Sequence, residues 1–182
     1  MKKFSLLFCI SFGFLLSKAQ VATDFTATDC NGNSHTLFDE LNAGKVIVIT
    51  WVMPCGECVA GALTAYNITQ SFEADFPGRV KMYISDDYAN TPCSSLNAWC
   101  TTYGLARAIK FSDSAIRMSD YGFSGMPKTV AIAPDRTVIF NENYTVDADS
   151  LQSVIETALT TTSVKSLPAF ISTPSVYPNP AI

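Results

Sequence analysis

The chain of 182 residues is long enough for one domain with short appendages, and its 48% of apolar residues are ample for a hydrophobic core. The sequence has 12 basic and 16 acidic residues, and no basic patch or run of Lys and Arg lies beyond the first three positions. This balance argues against nucleic acid as a partner.

The first 19 residues have the organisation of a secretory signal peptide. Lys2 and Lys3 precede an apolar run, Phe4–Leu16, that is too short for a comfortable membrane span. Cleavage after Ala19 would leave nine basic and 16 acidic residues, a net charge of −7. An uncleaved membrane anchor is the alternative. We expect an exported protein, in the periplasm or at the cell surface, with no stable membrane insertion and in a compartment where disulfides persist.

The first elements predicted in the mature domain are a β-hairpin and a buried strand. Asp24–Thr28 and Ser34–Leu37 are the predicted hairpin strands, because the Asn-Gly pair between them tolerates the positive φ of a tight turn. One helical turn is expected over Phe38–Leu41. Val46–Val52 is a largely apolar run rich in β-branched residues, which predicts a strand buried on both faces.

Helices and strands alternate in the rest of the domain. The predicted helices follow Cys58 as far as Phe76, cover Ser94–Tyr103, run from Asp113 as N-cap to about Tyr121, and cover Asp147–Thr160. The predicted strands are Val80–Ser85, Ala108–Phe111, Thr129–Ala133 and Thr137–Asn141. This order predicts an α/β sandwich with a mixed central sheet, formed by residues 20–160.

Residues 161–182 are rich in Ser, Thr and Pro, which predicts a linker outside the domain. Within it, Val176–Ala181 (VYPNPA) resembles the opening of the C-terminal sorting domain of the type IX secretion system. Such domains continue for several dozen residues. Either the natural chain extends beyond Ile182 or the likeness is accidental.

The motif Cys55-Gly56-Glu57-Cys58 follows the predicted central strand and opens a predicted helix. The unpaired amides and the positive dipole end of a helix stabilise a thiolate, and a second thiol three residues later can close a small disulfide with the first. The stretch therefore predicts a dithiol redox site.

With its surroundings, this motif resembles the thioredoxin superfamily, in the exported redoxin branch of TlpA-like thiol–disulfide oxidoreductases. Trp51 stands four residues before Cys55, as the family's tryptophan does, and Met126-Pro127 precedes a strand where the family places its cis-proline. The N-terminal hairpin followed by Gly44-Lys45 matches the extension of redoxins. The resemblance covers about residues 22–160. It implies a thioredoxin-like three-layer sandwich with an N-terminal β-hairpin extension.

The resemblance also implies roles for individual residues. Cys55 is the implied nucleophile, Cys58 the implied resolving thiol, and Pro127 a neighbour that leaves the adjacent edge open to a substrate backbone. The implied partners are substrate proteins that contain cysteine and a redox partner protein, and no cofactor is implied.

The sequence departs from the family pattern beside the thiols. Ile49 occupies the place of the family's buried acid, so proton transfer from Cys58 needs another group or water. Glu57 is a candidate for this transfer, and a solvated residue of the first helical turn is the alternative. Because a carboxylate beside Cys55 opposes thiolate formation, we expect a modest preference for acting as a reductant.

Other chemistries fit the residues less well. Val48 and Val52 stand where peroxiredoxin chemistry needs a proline and a threonine. His35, the single histidine, is expected to be an exposed hairpin residue, so no metal site is expected. Asp86 and Asp87 are expected in a solvated turn at the active-site edge, with a role in partner choice as the alternative.

Three further cysteines leave their pairing open. Cys30 and Cys93 both fall in predicted loops and are able to form a structural bridge. Cys93 and Cys100 would be about 10 Å apart on one straight helix, too far for a disulfide unless Cys93 folds back from the preceding loop. The rival to an oxidoreductase is a redox-inactive binding module at the cell surface, in which Cys55 and Cys58 form a static structural disulfide.

Overall fold

The protein is described here by a computed structural model that covers residues 19–122 and 125–165. The predicted signal peptide, apart from Ala19, lies outside these ranges, as does the predicted sorting tail.

The described residues form seven strands, four α-helices and one 3₁₀ turn. The strands are β1 (Thr26–Thr28), β2 (Ser34–Thr36), β3 (Val46–Val52), β4 (Val80–Asp86), β5 (Ile109–Phe111), β6 (Lys128–Ile132) and β7 (Val138–Asn143). The helices are α1 (Leu37–Asn42), α2 (Val59–Ser71), α3 (Cys93–Thr102) and α4 (Ala148–Lys165), and the 3₁₀ turn is Met118–Tyr121.

The central sheet has five strands in the order β5-β4-β3-β6-β7, and β1 and β2 form a separate antiparallel hairpin. Strands β3, β4 and β5 are parallel to one another, whereas β6 and β7 are antiparallel to their neighbours. All seven residues of β3 are buried, as expected for a largely apolar run in the middle of a sheet. The sheet is therefore mixed, as the sequence predicts.

Helices cover both faces of this sheet, so the fold has three layers. Alternate residues of β3, such as Val48 and Val52, join a core that contains residues of α2, α3 and α4. The residues between them, such as Ile49 and Trp51, join a second core with α1 and the 3₁₀ turn. The predicted α/β sandwich with an N-terminal hairpin is confirmed.

Three predicted helices are wrong in extent. Helix α4 continues to Lys165 rather than ending near Thr160, so its last residues lie in the segment predicted as a linker. Helix α2 ends at Ser71 rather than near Phe76, and the segment after it continues through turns. The helix predicted from Asp113 is absent apart from the 3₁₀ turn. The Ile116 carbonyl there accepts the Trp51 indole N–H at 3.0 Å, and this bond holds the segment against β3. The Asp113 carboxylate still accepts the Ala115 amide, but it caps a turn and not a helix.

His35 is not the exposed residue that the sequence predicts. Its side chain is only 12% exposed, and its two ring nitrogens lie 3.2 Å from Asp29 Oδ2 and 3.5 Å from Glu40 Oε1. Glu40 also contacts Lys45 and Lys81, which completes a small ionic cluster under the hairpin. The histidine therefore fastens the hairpin to the domain.

A disulfide joins Cys30 in the hairpin turn to Cys93 at the start of α3. The two cysteines are 63 positions apart in sequence, so the bond closes a long loop. This settles the pairing that the sequence leaves open. Cys100 is a free, buried thiol.

None of the helices in the described ranges combines the length and the apolar character that a membrane crossing requires.

We expect the double variant Cys30→Ser/Cys93→Ser to lower the free energy of unfolding by about 2–4 kcal/mol, because a long loop gains entropy in the unfolded chain when its disulfide is lost. Urea denaturation of oxidised protein measures this difference. In excess dithiothreitol the wild type and the variant should become equally stable. A variant as stable as the oxidised wild type would contradict the assignment of this bond.

Candidate active site: the Cys55/Cys58 dithiol

The two cysteines of the motif lie in the loop that joins the buried end of β3 to α2. Cys58 is the N-cap of α2, and Cys55 lies in the bend before it. The Val59 amide donates to the Gly56 carbonyl at 3.2 Å, which closes the turn between the two thiols. Cys55 and Glu57 therefore precede the helix, whereas the sequence predicts them at its start and in its first turn.

The two thiols differ in their access to solvent. Cys55 is partly exposed and Cys58 is 1% exposed, and their sulfur atoms are 3.9 Å apart. Burial, followed by the nearby Cys55 and the negative charge of Asp87, raises the pKa of Cys58 to about 11, although the Met53 backbone amide acts in the opposite direction. The buried thiol is thus protonated at neutral pH, while the outer thiol is accessible.

Trp99 of α3 fixes the loop from the side. Its indole N–H donates to the Cys55 carbonyl at 3.1 Å, and its ring packs against Tyr103 with centroids 5.5 Å apart. The sequence predicts Trp99 only as a core residue of α3. A hydrogen bond between residues 44 positions apart leaves no local signal that would reveal it.

Pro127 lies against the first turns of α2. The Met126–Pro127 peptide bond is cis, and Pro127 is buried. A Cβ atom at Gly61 would lie 2.7 Å from Pro127 Cγ and 3.2 Å from the Tyr144 carbonyl oxygen, so only glycine permits this close approach. Gly61 is one helical turn after Cys58. The structure therefore brings Pro127 next to the helix that carries the thiol pair.

The two other predicted site residues, Trp51 and Glu57, have opposite environments. Trp51 is fully buried in the core on the opposite face of the sheet from Cys58, and its indole bonds to the segment after β5. Glu57 is exposed to solvent.

Asp86 and Asp87 differ from the solvated turn that the sequence predicts. Asp86 is the last residue of β4 and is 1% exposed, and its Oδ2 accepts the amides of Asn90 and Thr91. Asp87 is partly buried, and burial followed by the charge of Asp86 raises its pKa. Their position at the end of a predicted strand is the available sequence signal, and the parallel pairing of β4 with β3 places them at this edge of the sheet.

No metal site accompanies these groups: across residues 19–122 and 125–165, no cluster of three or more His, Cys, Asp or Glu side chains is suited to hold a metal ion.

Solved structures share this architecture over most of the chain. A thiol:disulfide interchange protein from Bacteroides sp. is 16% identical with a TM-score of 0.61, and the match covers 80% of this chain and 91% of that one. The thioredoxin domain of a thiol-disulfide oxidoreductase from Bacteroides vulgatus is 17% identical with a TM-score of 0.60, covering 78% and 97%. This chain has the thioredoxin-like fold. The resemblance seen in the sequence is confirmed at the level of fold.

A third thioredoxin-like structure, a secreted disulfide oxidoreductase of Mycobacterium tuberculosis, is 17% identical with a TM-score of 0.56, and the match covers 73% of this chain and 95% of that one. No family model matches the sequence, and no curated protein matches it. The thioredoxin-like fold is thus recognised here through structure.

We expect Gly61→Ala to lower the free energy of unfolding by about 1–3 kcal/mol, because the added methyl group overlaps the Pro127 ring and cannot be accommodated without a shift. The better helix propensity of alanine, worth about 1 kcal/mol, opposes this loss. Urea denaturation gives the net value. Gly56→Ala is the matched control, because no atom lies within 4 Å of the added methyl group. A Gly61→Ala protein more stable than wild type would contradict the contact with Pro127.

Proposed function

We propose that the protein is an exported thiol–disulfide oxidoreductase that exchanges electrons with cysteines of partner proteins through Cys55 and Cys58. One observation carries the proposal: an accessible thiol and a buried thiol lie 3.9 Å apart between the central strand and a helix. Disulfide exchange requires an accessible sulfur that a substrate can reach and a second, shielded sulfur close to it.

The chemistry passes two electrons from the dithiol to a substrate disulfide. The Cys55 thiolate attacks one substrate sulfur, and the other substrate sulfur leaves with the bonding electron pair. The Cys58 thiolate then attacks Cys55 Sγ, which forms the Cys55–Cys58 disulfide and breaks the bond to the substrate. Two protons from the protein thiols balance the two substrate thiols that are produced.

The surroundings support this order of attack. Cys58 is shielded from solvent, so an incoming disulfide meets Cys55 first. The Pro127 nitrogen carries no proton, and the residue lies beside the helix of the thiol pair. A proline there leaves no backbone donor to compete with an extended substrate segment.

Two further features of the chain support export. The sequence begins with a predicted signal peptide, and the domain contains a disulfide between Cys30 and Cys93. Structural disulfides persist in oxidising compartments and are rare in the cytosol. We therefore place the protein in the periplasm or at the cell surface, with cysteine-containing proteins as substrates and a separate redox protein as electron donor or acceptor.

We expect the wild type to accelerate the reduction of insulin by dithiothreitol, measured as turbidity. Cys55→Ser should reduce this activity to background, because the accessible nucleophile is lost. Cys58→Ser should also lose turnover, but it should retain an insulin chain as a mixed disulfide on Cys55 that is visible on a non-reducing gel.

Cys100→Ala is the matched control, because this thiol is buried in the core and takes no part in the proposed exchange. It should keep wild-type activity. If the wild type is no faster than dithiothreitol alone, and Cys58→Ser holds no substrate, the protein is a binding module and not an oxidoreductase.

A further inference from the structure

The Cys58 thiol must lose its proton before it can attack Cys55 Sγ, and its surroundings oppose this loss. Ile49 stands where the resemblance to the thioredoxin superfamily implies a buried acid, and it lies in the core on the other face of the sheet from Cys58. The proton must therefore pass to a group elsewhere.

A single peptide group connects Cys58 with the end of β4. The Val52 carbonyl, at the end of β3, accepts the Asp87 amide at 3.2 Å. The Met53 amide, which belongs to the same peptide group, interacts with the Cys58 thiol and stabilises its thiolate. The charges of Asp87 and Cys58 also interact, because Asp87 contributes to the raised pKa of Cys58. Asp87 and Cys58 are thus held on two sides of one peptide unit.

The two carboxylates at this point are short of hydrogen-bond donors. Asp86 Oδ1 and Asp87 Oδ2 are buried, and no residue in the described ranges donates to either atom. Adjacent buried carboxylates with free oxygens are most stable when one of them binds a proton. The pair is therefore suited to accept a proton and release it again.

We propose that Asp87 accepts the proton of Cys58 during disulfide exchange, and that Asp86 sets the proton affinity of Asp87. This inference rests on the proposed oxidoreductase function. In the resolving step the Cys58 proton passes to the Asp87 carboxylate, directly or through one water. The Cys58 thiolate attacks Cys55 Sγ, and the substrate sulfur leaves as a thiolate with the bonding electron pair. That thiolate takes a proton from solvent, and Asp87 returns its proton to solvent.

The charged groups near Asp87 are compatible with its role as a proton acceptor. Asp86 precedes it at the end of β4, and the charge of Asp87 acts on Cys58 at the start of α2. A cleft of about 200 Å³ beside Asp87 is also lined by Asp113 and Arg117. Arg117 pairs with Asp120 at 3.5 Å. The cleft gives Asp87 an exit to solvent for the proton.

The resolving step can be timed with an aromatic disulfide that releases a coloured thiolate. Reduced protein releases one equivalent when Cys55 attacks the reagent and a second when Cys58 closes the disulfide. The rate of this second release, measured by stopped flow between about pH 5 and pH 9, reports the deprotonation of Cys58. In the wild type this rate should level off far below the Cys58 pKa of about 11.

We expect Asp87→Asn to slow the second release by about 100-fold at neutral pH and to remove the plateau, so that the rate rises with pH. A merely electrostatic role predicts the opposite sign. The negative charge of Asp87 raises the pKa of Cys58, so its removal alone would speed the release. Asp86→Asn should move the plateau to lower pH, because it removes a charge that raises the pKa of Asp87.

Asp75→Asn is the control for loss of one negative charge, because Asp75 is exposed in the turns after α2. It should leave the second rate unchanged. The proposal is overturned if Asp87→Asn resolves as fast as the wild type or faster, or if Glu57→Gln alone reproduces the loss. If Asp87→Asn does not fold, a wild-type rate that rises with pH and shows no plateau overturns it equally. Failure of the oxidoreductase function itself differs from these results, because the wild type then releases no second equivalent at any pH.

Discussion

The pairing of β3 on both of its edges is the constraint from which the site follows. Its parallel register with β4 brings Val52 opposite Asp86, so the two strands end at the same edge of the sheet. Its antiparallel register with β6 brings Trp51 opposite Lys128, so β6 begins at that edge, directly after Pro127. Three segments distant in sequence therefore meet where β3 emerges from the core. The dithiol loop, the acidic pair and the proline owe their proximity to this register.

The position of the outer thiol depends on contacts from outside the sheet. Trp99 binds the Cys55 carbonyl, and the helix that carries Trp99 is anchored at its first residue by the Cys30–Cys93 disulfide. The same disulfide links that helix to the N-terminal hairpin. The N-terminal hairpin is thereby joined to the helix that supports the dithiol loop.

Much of the fold can be predicted from the sequence, because burial leaves a pattern of apolar residues along the chain. The run Val46–Val52 predicts β3 to the residue, since a strand covered on both faces has no exposed position. The Cys-x-x-Cys spacing and the Met126-Pro127 dipeptide are local patterns as well. All of these features are set by residues close together in the chain, and so they can be recognised before the fold is known.

Features that depend on specific hydrogen-bond and ionic partners are those that the sequence misses. The segment after Asp113 forms turns in place of the expected helix, and the Ile116 carbonyl there accepts an indole N–H from β3. His35 and Asp86 are buried because groups four to six positions away in the chain satisfy them: Asp29 and Glu40 contact the histidine, and the amides of Asn90 and Thr91 donate to the aspartate. A polar residue carries no local sign that such partners exist, so a pattern assigns it to solvent.

The unequal burial of Cys55 and Cys58 is likewise a tertiary property. Its most direct test is alkylation of the reduced, folded protein with iodoacetamide, followed by peptide mass spectrometry across a range of pH. The account predicts modification of Cys55 near neutral pH while Cys58 stays unmodified until the chain unfolds; equal modification of the two thiols, or faster modification of Cys58, would contradict it.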